Sequence, residues 1–453
     1  MRDAAFAFIW VILLPISFYS AHIGILLWIW VALLSPNEML YGVMAGIPFN
    51  KVVAASTILI LILSREKQKF YFDKFIGLIA SFGVMCTVAY FTSLVESTTG
   101  DDVYGKFLKE LVVAFLITGI MWSRHRLHQV ALVISIAYGF LMAKEGLIYL
   151  LTAGGHKVVG TGSVGDNNGL ALAILMTIPY MLYSAKYSAV RMARVAILST
   201  AVLGVVTVIA TFSRGGFVGL TALALMLLRG NKHKMRTFLL LIACAATIYY
   251  LAPESWFERI STIQGAGEDS SFLTRVVAWK INLLLALDHP FFGGGPFASM
   301  HAETWARYIV ESSTFLFPTP IVNWAFVAHS IYFQVLGDMG FTGLALFLAI
   351  LCSAFLIARR TRRLARKNPS LAWAGDLAQS LEMSLVVYGV AGAALSLVYF
   401  ELLFITLALI SRTHRTVVEL TSAQATPAPA SFRSRMAPTY RTNPANKHLT
   451  PRS

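Results

Sequence analysis

The sequence predicts an all-α, polytopic integral membrane protein with about twelve transmembrane helices and one large outward-facing loop. Three observations carry that prediction. Of 453 residues, 57% are hydrophobic and 13% charged, against roughly 45–50% apolar and about 25% charged in a soluble domain. Apolar runs recur at lengths suited to crossing a ~30 Å hydrocarbon core. Basic residues crowd into alternate loops between those runs, the pattern of a chain oriented by the positive-inside rule.

The first run, 4–34, is too long for a signal-peptide core of about 7–15 residues and has no small-residue cleavage site, so it is expected to stay attached, broken at Pro15. Further runs follow at 47–63, 75–92, 107–122, 129–151, 168–185, 193–213, 215–228 and 236–252. Residues 1–252 are thus read as transmembrane helices one to nine. Residues 253–325 form a large outer loop with interfacial helices. Residues 326–411 hold a short outer helix and the last three spans, the final pair a hairpin within 378–411. From 412 to 453 a basic tail rich in Ala, Pro, Ser and Thr buries too little apolar surface to fold and is expected to be disordered.

The loops vote on orientation. Five basic ones, SREKQKFYFDK (64–74), SRHRLHQ (123–129), Lys186 to Arg194, RGNKHKMR (229–236) and RRTRRLARK (359–367), alternate with loops poor in Lys and Arg. The basic set is assigned to the cytoplasm. Parity then puts both termini there, provided 4–34 crosses once. The same loops account for the net charge of +15. No basic stretch is interleaved with stacking aromatics, so nucleic acid is excluded as a partner. Cys86, Cys244 and Cys352 lie inside apolar runs without metal-ligand spacing, and are read as packing residues.

The outer side collects the chemistry. GTGSVGDNNGLALA (160–173) is a glycine-rich turn whose Asp166, Asn167 and Asn168 lead into a helix, where exposed N–H groups could hold an anion or Asp166 could merely cap. TFSRGGFVGL (211–220) sets Arg214 at a boundary between two apolar runs, costly unless it meets water or an anion. SSFLTRVVAWKINLLLALDHPFFGGGP reads as a helix opened by Asp269 to Ser271 and ended by Pro290 and three glycines. Its apolar face is interrupted by Arg275, Lys280 and Asn282, which suggests a helix lying at the membrane surface. The triple glycine either stops that helix or lets backbone approach a ligand. A single helix over 326–358 would be about 50 Å long, so GDMGFTG is the expected break. His329 is placed on the short outer helix 326–336, and Asp338, nine residues on and so about 13 Å along and about 180° round a continuous helix, either caps the break or supports the site. Lys144 and Glu145 lie near the outer end of a span and could pair locally.

At GDNNGLALA, FSRGGFVGL, LTRVVAW…DHPFFGGGPF and AHSIYFQVLGDMGFTGLALF the sequence resembles the O-antigen ligase superfamily of bacterial polysaccharide ligases and polymerases, and within it the branch of O-glycosylation ligases associated with exosortase systems. The resemblance runs from GILLWIWVALLSPNEMLYG to about residue 411. One departure is Gly165 before Asp166 where the family pattern has EDNN, which weakens any role needing a second carboxylate there. The resemblance implies a fold related to type-C glycosyltransferases and an inverting, metal-independent transfer at the periplasmic face. The glycan would pass from undecaprenyl diphosphate to an acceptor hydroxyl on lipid A-core or another surface glycan or protein, beside membrane lipids. It implies catalytic roles for Arg214, Arg275 and His329, and substrate-binding roles for Asp166, Asn168, Ser213, Gly215, Tyr332 and Asp338. No metal ligand and no cofactor are expected.

Two other readings compete. A polymerase would use the same residues with a second lipid-linked glycan as acceptor. A flippase or secondary transporter would place charges near mid-membrane in repeated halves; no internal repeat is visible and the polar cluster lies on one side.

Overall fold

The computed structural model describes residues 2–64, 66–160, 164–230, 235 and 270–425, and among them the only regular secondary structure is helical. The first compact unit is Met1–Val417. It opens with α1 (Arg2–Ser17) and α2 (Ala21–Leu34). The run 4–34 is therefore two helices rather than one, and the break falls at residues 18–20 instead of at Pro15, which α1 tolerates near its end. Of the two, only the stretch from Ala21 is long and apolar enough to cross a membrane.

Then come α3 (Gly42–Ala45), α4 (Phe49–Leu63), α5 (Lys74–Phe91), α6 (Thr98–Ile120), α7 (Arg124–Leu151), α8 (Asn167–Tyr187), α9 (Arg191–Ala210) and α10 (Arg214–Gly230). The run 236–252 lies outside the described residues, as does 253–269. Beyond them are α11 (Ser270–Asp288), α12 (Ala302–Thr314), α13 (Ile331–Ala365) and α14 (Ala372–Ala391). Helix α15 (Glu401–Ala425) leaves the first unit at Val417 and enters the second, Val418–Ser453, described as far as Ala425. The expected disorder from 412 is corrected up to Ala425. Arg412 is fully buried, its guanidinium over the Tyr71 ring at 5.4 Å and reaching the Lys69 carbonyl at 3.4 Å, so the helix continues through a charge that backbone oxygens and an aromatic face satisfy.

Seven described helical segments are long and apolar enough to cross a membrane, among them Lys74–Phe91, Asn167–Tyr187 and Ile331–Ala365. The chain is a polytopic membrane protein. Among the described residues the count stops at seven because α1, α4 and α10, of 16, 15 and 17 residues, are short, α6 and α15 carry charge, and the run 236–252 lies outside them. Helix α8 is the hub. All but a few of its residues are buried, and it packs against α7, α9, α10 and α14.

The glycines of SRGGFVGL act in that packing. A Cβ on Gly216 would lie 3.0 Å from the Ala171 Cβ, and one on Gly219 would lie 3.0 Å from the Ala391 Cβ. Small residues at this spacing let α10 sit close to α8 and α14, as helix contacts in lipid require. Helices α11 and α12 share a smaller core of Val277, Ile281, Leu285, Trp305 and Tyr308. Within it Lys280 is corrected from a surface residue to a buried one. Its ammonium donates to the carbonyls of Ser312 (3.1 Å) and Phe317 and to Thr319 Oγ1 (3.2 Å), tying the end of α12 and the loop after it to α11. Cys86 is buried, whereas Cys352 is exposed and packs no core; Cys244 lies outside the described residues.

Candidate active site

The loops poor in Lys and Arg meet at one end of the helices. Val158 N–H donates to the Ala210 carbonyl at 2.9 Å and Leu94 N–H to the Gly294 carbonyl at 3.0 Å. The Asn167 amide donates to the Thr211 carbonyl at 2.8 Å. Helices α8, α10 and α13 all begin at this end, so three helix N-termini with their positive dipole ends face one region.

Arg214 is the first residue of α10. Phe212 turns the chain into that helix with φ 53°, and Ser213 Oγ accepts the Gly216 N–H at 2.9 Å. Ser213 is thus engaged as a cap. Gly215 lies against the 392–400 segment, where a Cβ would meet the Ala394 Cβ at 3.4 Å. Asp166, exposed, is the N-cap of α8 and accepts the Gly169 N–H at 2.5 Å. The Asn168 side chain, half-buried in the first turn, makes no hydrogen bond among the described residues. It is Asn167, its neighbour, that ties α8 to the turn before Arg214.

His329 is not on a helix. Helix α13 starts at Ile331 with Ser330 as N-cap, and His329 precedes it at φ 45°. The expected outer helix 326–336 is therefore corrected: residues 324–330 are irregular, and Ser330, immediately before the helix, is extended at φ −160° and ψ 122°. The same device recurs at both positions, a left-handed residue and then a serine at a helix start. Backbone held in this region costs about 1–2 kcal/mol per residue and persists where surrounding contacts over-determine it.

Those contacts come from α11. Trp279 Nε1 donates to the Ala328 carbonyl at 2.6 Å, and its ring stacks on Phe333 with centroids 5.1 Å apart and planes at 6°. Arg275 is one turn earlier, so a four-residue step places it on the face that holds the 328–330 segment. Burial and the neighbouring Arg275 guanidinium hold the His329 imidazole below its ordinary value, against an opposing pull from the Asp166 carboxylate. His329, Arg275 and Asp166, taken from three separate stretches of chain, are thus near enough for their charges to act on one imidazole. Arg214 joins this end through the Asn167–Thr211 bond and the Gly215–Ala394 contact. The Lys144 ammonium and the His156 ring meet the Glu145 carboxylate, both at 2.7 Å, a local pairing.

Tyr332 and Asp338 point elsewhere. Tyr332 donates to the Gly389 carbonyl at 2.7 Å and fastens α13 to α14. Asp338, 1% exposed, accepts the Phe297 N–H and the Tyr399 hydroxyl, each at 2.9 Å, and does not bond His329. It supports the break in α13, where Gly340 has φ 67° and ψ −168°. The triple glycine meets that break. Gly294 and Gly295 N–H donate to the Gly337 and Asp338 carbonyls at 2.9 and 3.0 Å, so its close approach is to backbone. Trp279, Phe297 and Tyr399 carry no signal in the sequence beyond the i, i+4 spacing of Arg275 and Trp279.

Residues 199–348 match the family described as O-antigen ligase, and residues 1–189 match a family of unknown function. No curated protein matches the chain. The ligase match runs from within α9, through Arg214 and Arg275, to His329 and the break in α13. The match over residues 199–348 supports the O-antigen ligase superfamily and indicates a membrane enzyme of the glycan ligase or glycosyltransferase type, a family whose substrates are in general lipid-linked glycans.

Proposed function

We propose that the chain transfers a glycan from undecaprenyl diphosphate to an acceptor hydroxyl, in the first place on lipid A-core, at the periplasmic face of the bacterial inner membrane. The observation that carries this reading is the setting of His329, a half-buried imidazole on strained backbone at φ 45°, held below its ordinary pKa by burial and the Arg275 guanidinium against the pull of the Asp166 carboxylate. A neutral imidazole at pH 7 can take a proton.

In the reaction so read, His329 removes the acceptor O–H proton as that oxygen attacks the anomeric carbon. The bond from that carbon to the diphosphate oxygen breaks on the opposite face, inverting configuration. The lipid diphosphate leaves with the electron pair, and Arg214 and Arg275 stabilise its growing charge, aided by the N-termini of α8 and α10. Guanidinium forks match phosphate oxygens bidentately and would fill the role that a metal ion plays in other transferases. Asp166 and Asn168, at the mouth of α8, would position sugar hydroxyls. Ser213, Gly215, Tyr332 and Asp338 would act by holding these groups in place. The motifs quoted from the sequence support the exosortase-associated branch.

The test uses purified protein, undecaprenyl diphosphate-linked glycan, EDTA, and two offered acceptors, lipid A-core and a second lipid-linked glycan, with His329→Ala as control. Transfer to lipid A-core that vanishes in the variant is expected. Chain growth on the lipid carrier would make the enzyme a polymerase, and full activity of His329→Ala would remove the histidine from the mechanism.

A further inference from the structure

Away from that site, α6 carries a side chain that its protein neighbours do not satisfy. Glu110 is 5% exposed, and neither carboxylate oxygen has a hydrogen-bond partner among the described residues. Buried polar atoms in folded proteins are paired, and an exception asks for a missing donor. In front of Glu110 is a cavity of about 130 Å³ between α2, α4, α6 and α15, lined among others by Trp28, Asn50, Lys106, Lys109 and Glu401. The buried Oδ1 of Asn50 also lacks a partner among the described residues. Three acceptor atoms therefore line one cavity without donors, and Glu401 adds a second carboxylate. Lys106, one turn before Glu110, and Lys109 are exposed beside the cavity, and neither ion-pairs with Glu110 among the described residues.

This is an arrangement of two charges, an acidic interior with a basic rim. A simple cation would suit the interior but be repelled by the lysines, and a simple anion would suit the rim and be repelled by the carboxylates. A ligand with a primary ammonium and a phosphate a short distance apart suits both. Its three N–H donors match the two oxygens of Glu110 and the Oδ1 of Asn50, while its phosphate meets two ammoniums. The helices flanking the cavity expose Leu59, Ile62, Leu108 and Val112, apolar surface suited to acyl chains. We propose that this cavity binds the phosphoethanolamine headgroup of a membrane phospholipid, its ammonium on Glu110 and Asn50 and its phosphate at Lys106 and Lys109.

The test uses the full chain purified in detergent and stripped of lipid, offered phosphatidylethanolamine, phosphatidylcholine or phosphatidylglycerol in mixed micelles, with bound lipid counted by native mass spectrometry. Phosphatidylethanolamine should bind at least about tenfold more tightly than either of the others, because choline has no N–H donors and phosphoglycerol has no cation. Glu110→Gln should abolish that preference. The double variant Lys106→Gln, Lys109→Gln leaves the buried carboxylate untouched and should weaken phosphatidylethanolamine about tenfold. Equal binding of the ethanolamine and choline lipids by the wild type would overturn the proposal, as would an undiminished preference in Glu110→Gln. Should Glu110→Gln fail to fold, the wild-type comparison and the lysine variant still decide. Water-soluble phosphoethanolamine binding as tightly as the lipid would overturn the lipid as its source.

Discussion

Trp279→Phe tests whether the strained backbone at His329 matters for transfer. The substitution removes one donor, the indole N–H that reaches the Ala328 carbonyl at 2.6 Å, and retains a ring that can stack on Phe333. Ala328 is 3% exposed, so its carbonyl is left with little access to water, a loss of about 1–3 kcal/mol. The left-handed conformation of His329 is disfavoured by roughly 1–2 kcal/mol, so the bond removed and the strain it opposes are of the same size. Residues 328–330 should relax, and about 1.4 kcal/mol lowers the occupancy of the observed conformer by about tenfold. The displaced conformer, with a catalytic group shifted by about 1 Å, works up to about 10²-fold more slowly, which bounds the loss. Turnover should therefore fall by about 10- to 100-fold at saturating donor and acceptor. Single-turnover transfer would be measured beside the thermal midpoint in detergent, which should move by only a few degrees because the aromatic contact persists. Turnover within about twofold of wild type would refute the reasoning, and so would a loss accompanied by collapse of the thermal midpoint.

Three further outcomes follow from the same geometry. Arg214→Lys should transfer almost as poorly as Arg214→Ala, because a point ammonium cannot replace the bidentate fork; near wild-type turnover of the lysine variant would sink a diphosphate contact. Gly340→Ala should lower stability by about 3 kcal/mol or more, read as the thermal midpoint, since a Cβ would sit 2.5 Å from the Pro290 carbonyl oxygen in a conformation that only glycine adopts readily. The pH profile of kcat/KM should rise through an apparent midpoint below 6.5, because burial and Arg275 depress the His329 pKa from that value and the neutral form is the active one. The same shift makes the native state bind fewer protons than the unfolded chain just below pH 6.5, so stability falls as pH drops through that window. A midpoint above 6.5 that vanishes in His329→Gln would contradict the assignment.

What the sequence made legible was what short-range physics controls. Apolar runs located most helices, and the impossibility of a single 50 Å span located the break that Gly340 makes. The apolar run extends through His329 and so hides the helix start, which falls at Ile331 after the extended Ser330. The tail expected over 412–453 opens on Arg412. That arginine is instead buried against carbonyls of residues some 300 positions earlier, a pairing that no local window contains. The triple glycine had two local meanings, helix stop or ligand approach. Its partners, the Gly337 and Asp338 carbonyls, exist only because α13 breaks there.

That long-range pairing bears on how the site keeps its geometry. Arg275 lies on α11 and His329 lies just before α13, so their separation depends on how firmly the two elements are joined. They are joined twice. At one end Trp279 holds the Ala328 carbonyl. At the other, Gly294 and Gly295 donate to Gly337 and Asp338, Phe341 N–H donates to the Pro290 carbonyl at 2.9 Å, and the Asp338 carboxylate accepts the Phe297 N–H. A single anchor would leave a hinge; two anchors, at opposite ends of the contact, leave a rigid unit. The break in α13 supplies the second anchor by freeing carbonyls that an unbroken helix would have used internally. GDMGFTG and GGG, which carry no side chain able to do glycosyl-transfer chemistry at the site, therefore serve it by fixing Arg275 relative to His329.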